Sequence, residues 1–293
     1  MLEHLNDSDR LPAKVVVMGA GGFVGGKIVE RLKADGADVE ALTRKDVDLM
    51  ADDAAETLAR HLSPETALVV TSAKAPCKNT EMLLDNIKMM KAVCDAIQES
   101  PPSHLLYISS DAIYSDSMKP LTEDSPAGAD NLHGIMHAAR EAMLKASVGD
   151  VPLAFLRPTL IYGADDPHNG YGPNKFRRLA AEGADITLFG EGEEQRDHVS
   201  VEDVAELAAR IVKRKSRGAL NAATGVVTSF REIAEKIVEL ADGAISVKGS
   251  PRKGPMPHNG YRAFNASATK VAFPDFVYTP LQEGLARMQK LGG

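Results

Sequence analysis

Short continuous apolar runs alternate with longer helical patterns through the first half of the chain. The runs predict strands at Val15–Met18, Val39–Leu42, Leu68–Thr71, Leu105–Ser109 and Val151–Leu156. Between them lie predicted helices at Gly22–Lys33, Ala54–His61, Thr80–Glu99 and Leu132–Ser147. Phe23, Val24, Ile28, Val29 and Leu32 share one side of the first helix. Leu83, Leu84, Ile87, Met90 and Val93 share one side of the third. Asp35-Gly36 closes the first helix, with glycine as its C-cap, and Pro101-Pro102 ends the third. Strands that alternate with helices of this length need right-handed crossovers and a parallel sheet. Uninterrupted apolar strands fit a sheet covered on both faces.

After Tyr162 the pattern loosens. Gly163–Asn174 is rich in Gly, Pro, Asp and Asn and reads as a loop. Helices are predicted at Lys175–Glu182, Val201–Lys213, Ser229–Leu240 and Leu281–Leu291, with Ser229 and Glu232 in capping-box positions. Brief strands are predicted at Ile186–Phe189, Ala219–Ala222 and Ile245–Val247. Gly190–Gln195 reads as an acidic turn and Ser250–Gly260 as a loop. The expected fold is an α/β, Rossmann-like doubly wound parallel sheet with a smaller C-terminal substrate lobe. Residues 13–170, completed by about 198–224, would form the sheet domain, and residues 171–197 and 225–293 the lobe.

Composition narrows the partners. The 293 residues are 44% hydrophobic and 26% charged, as in an ordinary globular protein. A net charge of −7 and a pI near 5.7 provide no basic footprint for nucleic acid. Cys77 and Cys94 form no close-spaced metal or redox motif and read as buried thiols. No apolar run has the length of a membrane span. Residues Met1 to Arg10 are polar without an apolar core, so residues 1–12 read as a flexible tail and the protein as cytoplasmic.

Candidate chemistry starts at Lys14-Val-Val-Val-Met-Gly19-Ala-Gly-Gly22-Phe-Val-Gly25. A strand that turns at glycines into a helix presents unpaired N–H groups and the positive end of the helix dipole. That arrangement suits a dinucleotide pyrophosphate. Past the second strand stand Thr43, Arg44 and Lys45 in place of the acid that would bond a ribose 2′-hydroxyl. An arginine suits a 2′-phosphate, so NADP is expected, with NAD the alternative.

These residues, with Asn86, Ser109-Ser110-Asp111-Ala-Ile-Tyr114, Arg157-Pro-Thr-Leu-Ile-Tyr162-Gly and Gly190-Glu-Gly-Glu-Glu-Gln-Arg196-Asp-His-Val-Ser-Val-Glu-Asp203, resemble an extended short-chain dehydrogenase/reductase of the NAD-dependent epimerase/dehydratase family. The resemblance covers nearly everything from Lys14 to Leu291. Thr43 to Leu49 also resembles the NADP-using reductases that finish GDP-fucose and dTDP-rhamnose. The family resemblance implies cofactor contacts at Gly19, Gly22, Phe23, Val24, Thr43, Arg44, Thr71, Ser72, Ala73, Asn86 and Pro158. It implies substrate contacts at Asp111, Thr159, Asn174, Lys175, Arg196 and Arg262, the two arginines as clamps on the pyrophosphate of a nucleotide sugar. Phe189 or Phe176 would stack on the base. A homodimer through the helices Thr80–Glu99 and Leu132–Ser147 is also implied.

The family's catalytic set is a Ser or Thr with a Tyr-x-x-x-Lys pair. Ser110 matches the first, but His133 and His137 stand where the tyrosine and lysine belong. An imidazole can exchange a proton near neutrality. The i, i+4 histidines also have a metal-ligand spacing, but no third ligand is evident nearby and no metal is expected. Tyr171-Gly-Pro-Asn-Lys175 does read Tyr-x-x-x-Lys, but it lies in a Pro/Gly loop and is a decoy for the dyad. Ala112 replaces the glutamate of the sugar dehydratases, which argues against dehydration. The expected function is NADP-dependent reduction or epimerisation of a nucleotide-activated sugar. The alternative is a dinucleotide-binding protein of the same fold that has lost turnover.

Overall fold

The computed structural model describes residues 2–241 and 245–291. Six parallel strands make the main sheet: β1 (Lys14–Met18), β2 (Val39–Leu42), β3 (Thr66–Val70), β4 (His104–Ile108), β5 (Leu153–Pro158) and, later in the chain, β9 (Gly218–Ala222). Their spatial order is β2-β1-β3-β4-β5-β9. Helices α1 (Phe23–Ala34), α2 (Ala54–Ala59), α3 (Thr80–Glu99) and α4 (Leu132–Ser147) are the crossovers. The strand order reverses at β1, so a crevice opens over the carboxyl ends of β1 and β3.

The core has two faces, as the uninterrupted apolar strands require. Val15 and Val17 look toward α1 and α6 (Val201–Lys213), and Val16 and Met18 look toward α2 and α3. Both layers are fully packed, so side chains at the strand ends have little freedom to move.

A second unit stands over the carboxyl edge. It holds β6 (Leu160–Tyr162), α5 (Pro173–Ala181), β7 (Ile186–Phe189), β8 (Gln195–Ser200), β10 (Val227–Ser229), α7 (Phe230–Leu240), β11 (Val247–Ser250) and β12 (Tyr261–Arg262). α8 (Ser267–Ala272) and α9 (Leu281–Leu291) complete the chain. Phe176, Phe230, Ile233 and Leu285 pack into the separate apolar core of this unit. The capping box at Ser229 and Glu232 is formed.

Several expectations need correction. Residues 2–12 are not a loose tail. Glu3 bridges to Arg217, His4 Nδ1 bonds Ser216 Oγ at 2.7 Å, and Asn6 Nδ2 donates to the Lys213 carbonyl. The acidic stretch read as a turn runs into β8, a strand absent from the hydrophobic pattern because it reads Gln-Arg-Asp-His-Val-Ser. The loop at Ser250–Gly260 ends in a 3₁₀ turn at Pro257–Gly260, where His258 and Asn259 take the left-handed conformation. No described helix is long and apolar enough to cross a membrane.

Candidate active site

A cavity of about 620 Å³ lies between the sheet edge and the upper unit. Its floor is the β1–α1 turn. Gly22 caps α1 without a side-chain bond, so the first helical N–H groups are free for an anion. Two glycines make that turn. Gly19 has φ +96°, and a Cβ there would meet Thr71 Oγ1 at 2.6 Å. A Cβ on Gly25 would run into the Gly19 carbonyl and sit 2.7 Å from Thr71 Oγ1. Gly25→Ala is therefore expected to push α1 off the turn, costing about 1–3 kcal/mol of stability and at least about tenfold in dinucleotide affinity. Melting curves and a cofactor titration on one preparation check both.

A side cavity of about 200 Å³ opens from the same crevice, lined by Arg44, Asp48, Leu49, Met50, Ala73 and Met89 among others. Arg44 extends into solvent there and contacts Asp48 at 3.3 Å. Thr43 faces inward to its own loop, its N and Oγ1 both donating to Asp46 Oδ2 at 2.8 Å. Ser72 and Ala73 also line this pocket.

Gly22, Phe23, Val24, Thr71, Ala73 and Pro158 line the main cavity. Asn86 does not. It is wholly buried, with Oδ1 accepting from Lys74 N at 2.9 Å and Nδ2 donating to the carbonyls of Lys74 and Met82. Asn86 ties the loop after β3 to α3.

One wall of the cavity is built by the end of β4, a short 3₁₀ turn at Asp111–Ile113, and α4. Ser110 caps the turn, its Oγ accepting from Ala112 N at 3.1 Å, and lines the cavity. α4 is capped by Asn131 and comes in close at Gly134, where a Cβ would lie 2.5 Å from that of Ala129 and against the Ala112 carbonyl. That approach sets His133 beside the Ser110 turn. His133 and His137 both line the cavity, with ring centroids 4.8 Å apart and edges to faces. Cys77 N donates to His133 Nδ1 at 3.5 Å, and Tyr107 Oη bonds His137 Nδ1 at 2.8 Å. Burial holds both imidazoles below the usual histidine pKa. Asp111 opposes this at His133, and at His137 the neighbouring His133 and Arg140 deepen it.

Beneath the dyad lies a buried ion pair. Arg157 Nε and Nη2 grip Glu141 at 2.9 and 2.7 Å, Ser109 Oγ donates to Glu141 Oε1 at 2.7 Å, and Arg157 Nη1 reaches Tyr114 Oη at 2.8 Å. Arg140 is also buried; its Nη2 donates to the Ser72 carbonyl at 2.7 Å, and its guanidinium lies 5.1 Å from the Tyr107 ring centre.

The substrate side departs most from expectation. Asp111 and Arg262 meet each other, at 3.0 Å. Arg262 is buried and also donates to Asp116, the Asp111 carbonyl and the Tyr114 carbonyl. A guanidinium with those partners fastens the Ser110 turn to β12 and has little left for a pyrophosphate. Arg196 lines the cavity and gives Glu194 Oε1 one bond of 3.2 Å. Thr159 Oγ1 donates to Asp197, and Asn174 Oδ1 accepts from Gly163 N; both residues line the cavity. Lys175 does not line it, and Phe176 is buried in the upper core. Phe189 is exposed and stacks on Tyr171 with centroids 4.6 Å apart.

Residues that sequence reasoning missed include His198 and His258, which line the cavity, and Tyr107, which braces His137. His198 is buried with Nε2 unpartnered, and burial beside Arg196 lowers its pKa to about 3. The polar run of β8 concealed it. Tyr107 looked like one more apolar strand residue. No group of three or more His, Cys, Asp or Glu suited to a metal ion occurs among the described residues.

A strand–glycine–helix floor and a crevice at the point of strand reversal are features of α/β proteins of the short-chain dehydrogenase/reductase class. The chain matches the NAD dependent epimerase/dehydratase family over residues 15–223 and belongs to it. Its fold is similar to that of UDP-glucose 4-epimerase from Thermus thermophilus, solved in complex with NAD, with TM-score 0.80, 23% identity and 94% and 98% of the two chains covered. It is similar to UDP-N-acetylglucosamine 4-epimerase from Bacillus cereus, with TM-score 0.79, 23% identity and 96% and 99% covered. A GDP-L-fucose synthetase from Naegleria fowleri matches with TM-score 0.84, 17% identity and 98% and 96% covered.

Proposed function

We propose that this protein transfers hydride between NADP and a carbinol or carbonyl carbon of a nucleotide-activated sugar. The observation that carries this reading is the continuous cavity joining the uncapped α1 N-terminus to Ser110, His133 and Arg196. The cofactor supplies the hydride chemistry, and the chain supplies position and electrostatics. The donor set fits such a cofactor: free helical N–H groups for a pyrophosphate, an exposed Arg44 for a 2′-phosphate, and a turn that Gly19 and Gly25 let pack against Thr71, holding the α1 N-terminus at the crevice. Ser110 orients the sugar oxygen, His133 exchanges its proton, and Arg196 meets the substrate's phosphates. The names of the similar structures support the substrate class, since they include epimerases of UDP-sugars and a synthetase of GDP-L-fucose. The reading includes a homodimer through α3 and α4, supported by exposed Leu84 and Ile135 on those helices.

A thermal-shift screen with NAD, NADP and a set of nucleotide sugars tests the reading. A ligand at a hundred times its Kd adds about 2.7 kcal/mol to the native state. NADP is expected to raise the melting temperature more than NAD. Arg44→Ala is expected to weaken NADP about ten- to a hundredfold while leaving NAD unchanged, the value of a charge-assisted contact. A larger shift with NAD would overturn the role of Arg44. Dinucleotide binding without NADPH oxidation by any keto-sugar nucleotide would favour a binding protein that has lost turnover.

A further inference from the structure

We infer that Tyr107 is a positioning residue that fixes His137 as a neutral Nε2–H donor aimed into the cavity, toward the bound dinucleotide. The inference rests on the dinucleotide site proposed above.

Hydrogen counting carries the argument. Tyr107 is fully buried on β4, and burial raises its pKa to about 12, so it keeps its proton at neutral pH. A buried hydroxyl proton needs an acceptor. The partner of the Tyr107 hydroxyl is His137 Nδ1, at 2.8 Å. If His137 donated from Nδ1, the tyrosine proton would be stranded in the core at a cost of about tenfold or more in the folding equilibrium. The hydroxyl therefore donates and Nδ1 accepts. A neutral imidazole then carries its proton on Nε2, the nitrogen left for the cavity that His137 lines.

The surroundings hold the ring uncharged. His133 and Arg140 face it from α4, Tyr107 from β4, and Glu141 acts on the tyrosine. Arg140 already places one cation in this layer, over the Tyr107 ring, with Nη2 on the Ser72 carbonyl and Nη1 3.5 Å from Asn86 Oδ1. A second buried cation one helical turn away is unfavourable. The position that would carry an ammonium in the usual dyad thus carries an uncharged donor, while the nearby charge is spent on the loop after β3. Among the described residues, His133 has one hydrogen-bond contact, the long 3.5 Å one from Cys77 N, which does not lock its ring. The two histidines therefore divide the work, one locked as donor and one free to exchange a proton.

Nitrogen-15 NMR of histidine-labelled protein tests the lock directly. Free wild type is expected to show His137 as one neutral tautomer with its proton on Nε2. Tyr107→Phe keeps the ring under Arg140 and removes only the hydroxyl. It should turn the His137 signal into a mixture of tautomers and weaken NADPH binding about three- to tenfold. His137→Phe should lose a similar factor. A wild-type His137 protonated on Nδ1, or charged at neutral pH, overturns the lock. An unchanged NADPH affinity in His137→Phe, with wild type binding normally, overturns the donor role and leaves the proposed function standing. If wild type binds neither NADP nor NAD, the proposed function fails together with the donor role, and the NMR result alone decides the lock.

Discussion

Glu141→Ala is expected to destabilise the protein by about 3–5 kcal/mol, the cost of leaving one member of a buried ion pair without its partner. Arg157 and Glu141 are both buried, and two guanidinium nitrogens meet the carboxylate in parallel. Burial acts against the Arg157 charge, but Glu141 and Tyr114 outweigh it and raise the pKa. Without Glu141 that cation stays in the core with only the Tyr114 hydroxyl, at 2.8 Å, and a distant Glu123 carbonyl, at 3.4 Å. Ser109 at the end of β4 loses its acceptor as well. In a chain of this size the melting temperature should fall on the order of 10 °C. Urea unfolding should show a lower midpoint at an unchanged slope. Removing both charges in Glu141→Leu with Arg157→Met should recover part of the loss, because an apolar pair of similar volume avoids the desolvation cost. A single mutant as stable as wild type would mean that water reaches Arg157.

The site was legible where its logic is local. The glycines at 19, 22 and 25 announce a strand–turn–helix because an apolar run, the glycines and a helical pattern follow one another directly, although the close contacts of Gly19 and Gly25 reach Thr71 after β3. The alternation through Ser147 announces the parallel sheet for the same reason. The amino-terminal residues were misread because their partners, Lys213 to Arg217, lie more than two hundred residues away. β8 escaped because it is buried through polar partners: Asp197 accepts from Thr159 Oγ1, Thr224 N and Gly225 N at 2.7 to 3.0 Å. The family resemblance placed Asn86 and Arg262 in a binding site, but a motif match does not say whether a side chain's donors are already spent. His133 and His137 could be located from their distance past Ser110, whereas the brace on His137 comes from a tyrosine on a neighbouring strand.

His133→Phe is expected to lower kcat by about a hundred- to ten-thousandfold, the usual worth of a positioned proton-transfer group, with little change in KM. The ring volume is kept, so the packing against His137 survives and the loss reads on chemistry. The wild-type pH profile should carry a sign. Burial depresses the His133 pKa, with Asp111 on the facing turn working against this and His168 adding to it. At neutral pH the ring is then mostly uncharged. An uncharged imidazole can take the proton of a sugar hydroxyl being oxidised, so oxidation should rise through the depressed pKa and be level by about pH 7. Carbonyl reduction needs the charged form, so its rate should fall as pH rises past the same value. Asp111→Asn removes the group that raises the pKa and should move both curves to lower pH. Because Asp111 also holds Arg262, the folded state of that variant has to be checked by circular dichroism first. Stopped-flow turnover of NADPH in both directions reads all of this. A kcat for His133→Phe equal to wild type would assign the proton to another group on the cavity wall, with His258 and His198 the nearest in kind.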